Sequence, residues 1–278
     1  MLATDTFQMP PLIYGTAWKK ERTATLVTDA LTAGFRGIDT ACQPKHYNEA
    51  GVGEALAASV AQGLTRSELY VQTKYTPFNG HDPLRIPYDP NARLEEQVRQ
   101  SFEQSLRNLQ TDYLDALILH SPLDDRRDLL EVWRSMESLC DTGCVHLLGI
   151  SNCYELELLE YLWQQARIKP SILQNRFYAA THYDQDLRVF CRKNQIIYQS
   201  FWTLTANPQV LKHPELQTLA KRHQKTVAQI FFRYLNQIGI VPLTGTTDKI
   251  HMLEDLAIVE FSLSEPECVT ISELISDN

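Results

Sequence analysis

The chain has 278 residues, 44% of them hydrophobic and 22% charged, with a formal net charge of -8. That length buries a full core without disulfide or metal staples, and an acidic chain with no Lys/Arg block excludes nucleic acid as a partner. No apolar stretch is long enough to span a bilayer, MLATDTFQMPP lacks the basic and apolar regions of a signal peptide, and the six cysteines form no CxxC, so a reduced, cytoplasmic protein is expected.

Apolar runs recur along the chain with helical patterns between them. The expected strands are Leu12–Ala17, Arg36–Ala41, Leu69–Lys74, Leu114–His120, Leu147–Ser151, Ile172–Asn175, Ile196–Phe201 and Ile240–Leu243. Each is a near-continuous run rather than an alternation, the mark of strands buried on both faces in a parallel sheet. Between them, Leu94, Val98, Phe102, Leu106 and Leu109 form one apolar stripe at helical spacing, and Leu129, Val132, Trp133, Met136 and Leu139 form another. Leu156, Leu158, Leu159, Leu162 and Trp163 cluster after Asn152. Thr226–Gln229 and Ser264–Glu267 carry capping-box patterns that open two further helices. The Pro-rich segment Thr76–Asn91 reads as an ordered surface loop, and TLTANPQVLKHPEL after Phe201 as a short loop.

Eight strands alternating with helices predict an α/β fold, a (β/α)8 TIM barrel forming a single domain over 1–278. An open doubly wound sheet carries a Gly-rich phosphate turn after its first strand. Here GTAWKKERTAT stands in that place, and the GxG at Gly51–Gly53 follows a polar loop, where small residues suit a helix start.

Asp39, Lys74 and His120 each end an expected strand, which delivers them to the C-terminal rim of the barrel. Asp39 supplies a counter-charge for Lys74. A tyrosine beside that lysine, Tyr47, is expected to have its phenol pKa lowered from about 10, at about 1.4 kcal/mol per unit. Such a phenol donates a proton to a developing alkoxide, and a histidine across the pocket hydrogen-bonds the same oxygen. The set suits carbonyl reduction, since it offers a proton and oxyanion stabilisation but no nucleophile. Singly, each residue also has a bland reading: a turn cap for Asp39, a solvated rim charge for Lys74, a loop anchor for His120.

These residues fall in segments that resemble the aldo-keto reductases, NAD(P)H-dependent barrel oxidoreductases. The matching segments are GTAW (15–18), AGFRGIDTA (33–41), YNE with GVGEAL (47–56), ELYVQTK (68–74), SLRNLQTDYLDALILH (105–120), LLGISN (147–152), LQN (173–175), HQKTVAQIFFRYLNQIGIVPLTGTT (223–247) and FSLS (261–264). The resemblance implies a catalytic tetrad of Asp39, Tyr47, Lys74 and His120, with Tyr47 the general acid. It implies that Ser151, Asn152 and Gln174 hold the nicotinamide carboxamide and that Phe201 packs on the nicotinamide ring. Gly15, Thr16, Asp39, Trp202 and Leu204 join the cofactor cleft, Thr244, Gly245 and Thr246 cradle a phosphate, and Glu254 and Asp255 face the adenine side. Trp18, Tyr47 and His120 line the substrate pocket. The implied partners are NADP(H) or NAD(H) and a small-molecule carbonyl or alcohol.

Three departures from the family pattern mark a variant subgroup. The loop CQPKH between Asp39 and Tyr47 is long, and Tyr47 directly precedes Asn48–Glu49, so His46 is the neighbour that competes for its place. Leu243 stands where NADPH-preferring members carry a lysine, and Lys249 or His251 where they carry an arginine, so strong NADPH selectivity is not assumed. The chain ends soon after FSLS, which suggests an open substrate pocket. Cys140, Cys144 and His146 lack a second ligand pair and read as structural, so no metal is expected. No GxSxG, HExxH or P-loop is present, which speaks against hydrolase, zinc protease and NTPase readings, while the altered Tyr47 loop and the missing lysine at Leu243 leave a dinucleotide-binding sensor with little turnover as the alternative to a reductase.

Overall fold

The structure is a computed structural model that describes residues 3–4 and 7–276. Strands Ile13–Gly15, Gly37–Asp39, Tyr70–Tyr75, Leu114–Leu119, Val145–Ser151, Ile172–Arg176, Ile197–Phe201 and Ile240–Thr244 lie side by side, all parallel. The last strand pairs with the first through Leu243↔Ile13 and Thr244↔Tyr14, which closes the sheet into a barrel. Each expected strand is present to within two residues at either end. The antiparallel ribbon Ala3–Thr4 with Phe7–Gln8 was not expected, because strands of two residues leave no periodic signal.

Helices cover the outside. Leu94–Leu109 buries Val98, Phe102 and Leu109, and Arg126–Asp141 buries Leu129, Val132, Trp133 and Met136 against the outer faces of the strands. Thr226 caps Val227–Gln237 reciprocally: its N–H donates to Gln229 Oε1 at 2.9 Å, and Gln229 N donates to its hydroxyl at 3.2 Å. Ser264 starts Glu265–Ser276 by donating N–H and Oγ–H to Glu267 Oε2, at 2.8 and 2.9 Å. The segment after Phe201 departs from the expected loop. It contains the helices Pro208–Leu211 and Pro214–His223, each opening on a proline whose fixed φ suits the first helical position.

Glycines in the second helix, Glu49–Ala61, act in packing. A Cβ on Gly53 would lie 1.9 Å from the carbonyl oxygen of Asn108, so only glycine lets this helix approach the end of Leu94–Leu109 so closely. That contact seats the helix immediately after Tyr47.

Inside the barrel the layers differ in polarity. Ile13, Tyr70, Ala116, Ile118, Ile172, Val241 and Leu243 form an apolar floor. Toward the C-terminal mouth the inward positions become polar. Along Tyr70–Tyr75 the period of two sends Tyr70, Gln72 and Lys74 inward, while Val71 and Tyr75 join the outer core. Gln72, Lys74, Asp39, Gln174 and Gln199 are all at most 3% exposed. A continuous apolar reading of these strands therefore misses a polar inner layer just below the mouth.

Candidate active site

Parallel register assembles the site. Asp39 pairs laterally with Gln72, one inward step below Lys74, and Ser151 pairs with Gln174. Lys74 Nζ lies 2.7 Å from both carboxylate oxygens of Asp39 and 2.8 Å from the carbonyl oxygen of Thr40. All three ammonium protons are thereby engaged in a site that is 1% exposed on the lysine side. Burial pulls the Lys74 pKa down, and Asp39 opposes that pull. The ammonium also faces the Tyr47 ring, 5.2 Å from its centroid.

Tyr47 is set by its own loop. Gln43 carbonyl accepts the N–H groups of His46 and Tyr47 at 3.2 and 3.1 Å, and Gln43 Nε2 bonds Gly80 O at 2.7 Å. On the other side Glu49, buried at 4% exposure, receives Thr73 Oγ1 and Asn108 Nδ2. His46 stacks on Trp18 with ring centroids 4.0 Å apart, while the Tyr47 ring meets the edge of His120 at 5.9 Å. Of the two neighbours, Tyr47 thus faces Lys74 and His120. Its hydroxyl has no hydrogen-bond partner among the described residues.

The expected lowering of the Tyr47 phenol does not occur. Burial, and then the negative charge of Asp39, push it up above its ordinary 10.0. The physical reason is that the buried phenol loses the solvation its charged form needs, and Asp39 adds a negative charge beside it, while the Lys74 ammonium is already taken up by Asp39 and Thr40. His120 is shifted the opposite way. Burial first, then the positive charges of Lys74, His81 and His46, hold its pKa well below 6.5, so the imidazole is neutral at pH 7. Its Nδ1 is tied to Thr76 Oγ1 at 2.7 Å, which leaves Nε2 for the cleft.

The cleft above these residues has a volume of about 930 Å³, within the range for a cofactor site. Gly15, Trp18, Asp39, Tyr47, His120, Ser151, Asn152, Gln174, Phe201, Trp202, Leu204, Leu243, Thr244, Gly245, Thr246, Glu254 and Asp255 all line it. Trp18 is 57% exposed at the rim, which rules out a plain core role. Asn152 Nδ2 donates to the carbonyl of His120 at 2.9 Å, and Ser151 Oγ donates to that of Gln174 at 2.7 Å.

Two expected residues lie elsewhere. Thr16 is fully buried outside the lining, where its hydroxyl and N–H both bond the Asp39 carbonyl at 2.9 and 3.0 Å. Lys249 points away and pairs with Asp29 at 2.8 Å; His251 is the basic residue of that helix facing the cleft. Asp255 lines the cleft, but its carboxylate accepts the Thr244 hydroxyl at 2.7 Å, and burial raises its pKa from 3.8 to about 6. Because the folded state favours the protonated form, the associated stability is full below the unfolded pKa and lost as pH rises through about 6. Wild type is therefore expected to lose on the order of 2 kcal/mol more than Asp255→Asn between about pH 4 and pH 6. Chemical denaturation across that range checks it, and parallel curves for the two proteins would refute it.

Sequence reading missed several residues here. Lys19 is 8% exposed, and its ammonium bonds the Gly245 carbonyl, beside the expected phosphate cradle. Burial, and then the charge of Arg22, lower its pKa to about 8. Arg176 lines the cleft between the rings of Trp202, at 4.3 Å, and Tyr178, at 5.2 Å, and its Nε has no hydrogen-bond partner among the described residues. In an acidic chain, these cations at one cleft fit a dinucleotide carrying phosphates. The doublet Lys19–Lys20 looks like ordinary surface, and nothing in it signals that one lysine folds inward.

A closed parallel barrel with a titratable quartet at its mouth and a cation-bearing cleft of dinucleotide size defines a barrel oxidoreductase. The Aldo/keto reductase family model matches residues 11–276. An uncharacterized oxidoreductase of Bacillus subtilis, YtbE, is 32% identical over 89% of this chain and 82% of its own. A crystal structure of an aldo/keto reductase from Brucella melitensis superposes with a TM-score of 0.84 at 28% identity, covering 99% of this chain and 98% of that one. An aldo-keto reductase of Bombyx mori solved in complex with NADP gives a TM-score of 0.83 at 25% identity, covering 99% and 92%. The chain belongs to the aldo/keto reductase family. As an NAD(P)-dependent oxidoreductase of that family, it acts in the reduction of small carbonyl compounds, with NADP(H) or NAD(H) as cofactor. No helix among the described residues is long and apolar enough to cross a membrane.

Proposed function

We propose that this protein reduces an aldehyde or ketone to the alcohol with Tyr47 as the general acid. The observation that carries the reading is the Tyr47 hydroxyl: it is unpartnered, opens on the cleft, and has Lys74 against its ring and His120 at its edge. A phenol whose pKa is raised stays protonated at neutral pH, yet it is still a stronger acid than an alcohol, so transfer to a developing alkoxide remains downhill. Neutral His120 holds Nε2 toward the cleft, where it can hydrogen-bond the substrate oxygen and orient it. Asp39 fixes Lys74 beneath the tyrosine, which places a dipole rather than a mobile charge under the proton donor. Ser151, Asn152 and Gln174 are suited to hold the carboxamide, Phe201 the face of the nicotinamide, and Lys19, Arg176 and the Thr244–Thr246 loop the phosphates. When bound, the reduced nicotinamide supplies the hydride. In this reading the chain forms one barrel domain, and its open mouth at Trp18 and His46 accepts varied small substrates.

The test follows nicotinamide absorbance, for NADPH and NADH separately, against a panel of aldehydes and ketones. Consumption of one reduced dinucleotide with at least one carbonyl is the expected result. Tight dinucleotide binding without turnover on the whole panel would replace it with the sensor reading.

A further inference from the structure

Beneath Asp39 and Lys74 three buried glutamines cross the barrel lumen. Gln72 and Gln199 form a reciprocal amide pair: each Nε2 donates to the other's Oε1 at 2.9 Å. Tyr70 hydroxyl adds a third bond to Gln72 Oε1 at 2.6 Å, and Gln199 Nε2 also reaches Met9 Sδ at 3.3 Å. Gln174 Nε2 donates to Gln199 Oε1 and to Asp39 Oδ1, both at 2.9 Å, and Gln72 Nε2 reaches the same Asp39 oxygen at 2.7 Å. Gln72 and Gln199 are fully buried and Gln174 is 2% exposed.

The chemistry permits one arrangement. A carboxylate paired with an ammonium only accepts, so Gln72 and Gln174 must both turn their NH2 groups toward Asp39. The second proton of Gln174 then needs an acceptor, and Gln199 Oε1 is it. Gln199 cannot flip, since its Oε1 receives the Nε2 groups of both Gln72 and Gln174, and a flip would set amide donor against donor. Gln174 therefore has both N–H donors engaged below, and its Oε1 has no partner among the described residues. That oxygen sits on a residue lining the cleft.

We propose that Gln199, supported by Gln72, is a positioning residue that locks Gln174 with its carbonyl oxygen toward the cofactor, so that the site selects a pyridine ring bearing an amide N–H. The inference rests on the reading that Gln174 meets the nicotinamide carboxamide. Remove Gln199 and Gln174 Nε2 keeps only Asp39 Oδ1 as acceptor, so the amide is pinned at one point instead of two and the direction of its carbonyl oxygen is no longer fixed.

The experiment measures dissociation constants by protein fluorescence for two ligands. One is NADPH or NADH, whichever binds wild type more tightly. The other is its reduced 3-acetylpyridine counterpart, whose ring carries a methyl ketone and no amide N–H. Wild type is expected to prefer the natural dinucleotide by about tenfold, the scale of one buried hydrogen bond. Gln199→Met, close in shape and without amide groups, is expected to weaken the natural dinucleotide severalfold and leave the acetyl analogue unchanged, so the preference collapses. Gln199→Glu, kept protonated by burial, again offers one donor and one acceptor and is expected to restore the preference. Equal loss for both ligands in Gln199→Met, an unchanged preference, or a folded Gln199→Glu that fails to restore it would overturn the proposal. Where Gln199→Met does not fold, Gln72→Met decides: it releases Gln199 from the far side, and an intact preference there overturns the proposal as well. A wild type that binds neither ligand overturns the reading of the cleft itself, a different failure from a preference that survives in the variants.

Discussion

Tyr47→Phe is expected to lower kcat for carbonyl reduction by about 10²–10⁴-fold while the dissociation constant for the reduced dinucleotide stays the same. The substitution removes one oxygen and leaves the ring against Lys74 and His120, so packing and cofactor contacts persist. His120 is a poor substitute acid. Its pKa is driven well below 6.5, so the imidazolium form is scarce at neutral pH, and a neutral ring gives up its proton only to a very strong base. The pH profile of the wild type should therefore show no limb near the usual histidine range. Turnover by Tyr47→Phe within tenfold of wild type would sink the assignment and pass the proton to His120 or to water.

Lys74→Met is the second large effect, and it strikes folding as well as activity. It leaves the Asp39 carboxylate 3% exposed with its counter-ion gone, and stranding a buried charge in this way costs about 3–5 kcal/mol. Asp39→Asn combined with Lys74→Met removes both charges and should recover most of that stability, because the pair repays its own desolvation at best. Both variants lose activity, the first through misplaced charge and the second through loss of the dipole under Tyr47. Urea denaturation of the single and double variants makes the comparison. A double variant no more stable than Lys74→Met would show that the lysine matters for its packing rather than for pairing Asp39.

The barrel was legible because its strands and helices bury apolar side chains at fixed periods, and length, order and turn residues then left few topologies. The strand-end placement of Asp39, Lys74 and His120 was legible for the same reason, since a parallel strand must deliver its last residue to one rim. What stayed hidden depends on long-range partners. The direction of the Tyr47 shift turns on how deeply the fold buries the phenol and how near it brings Asp39, and neither can be read along the chain. The inward turn of Lys19 and the polar layer of Gln72, Gln174 and Gln199 arise from residues up to 226 positions apart, such as Lys19 and Gly245. The helices Pro208–Leu211 and Pro214–His223 were hidden by their own prolines, which read as breakers although each opens a helix.

The pairing of Ile240–Thr244 with Ile13–Gly15 has a bearing on biosynthesis. During translation the first strand waits on an exposed edge until the eighth emerges, and only then do Lys19 and Gly245 meet. A ribosome stalled before Thr244 would therefore hold a polypeptide in which the strands bearing Asp39 and Lys74 are made but the barrel is open and Lys19 has no Gly245 carbonyl to meet.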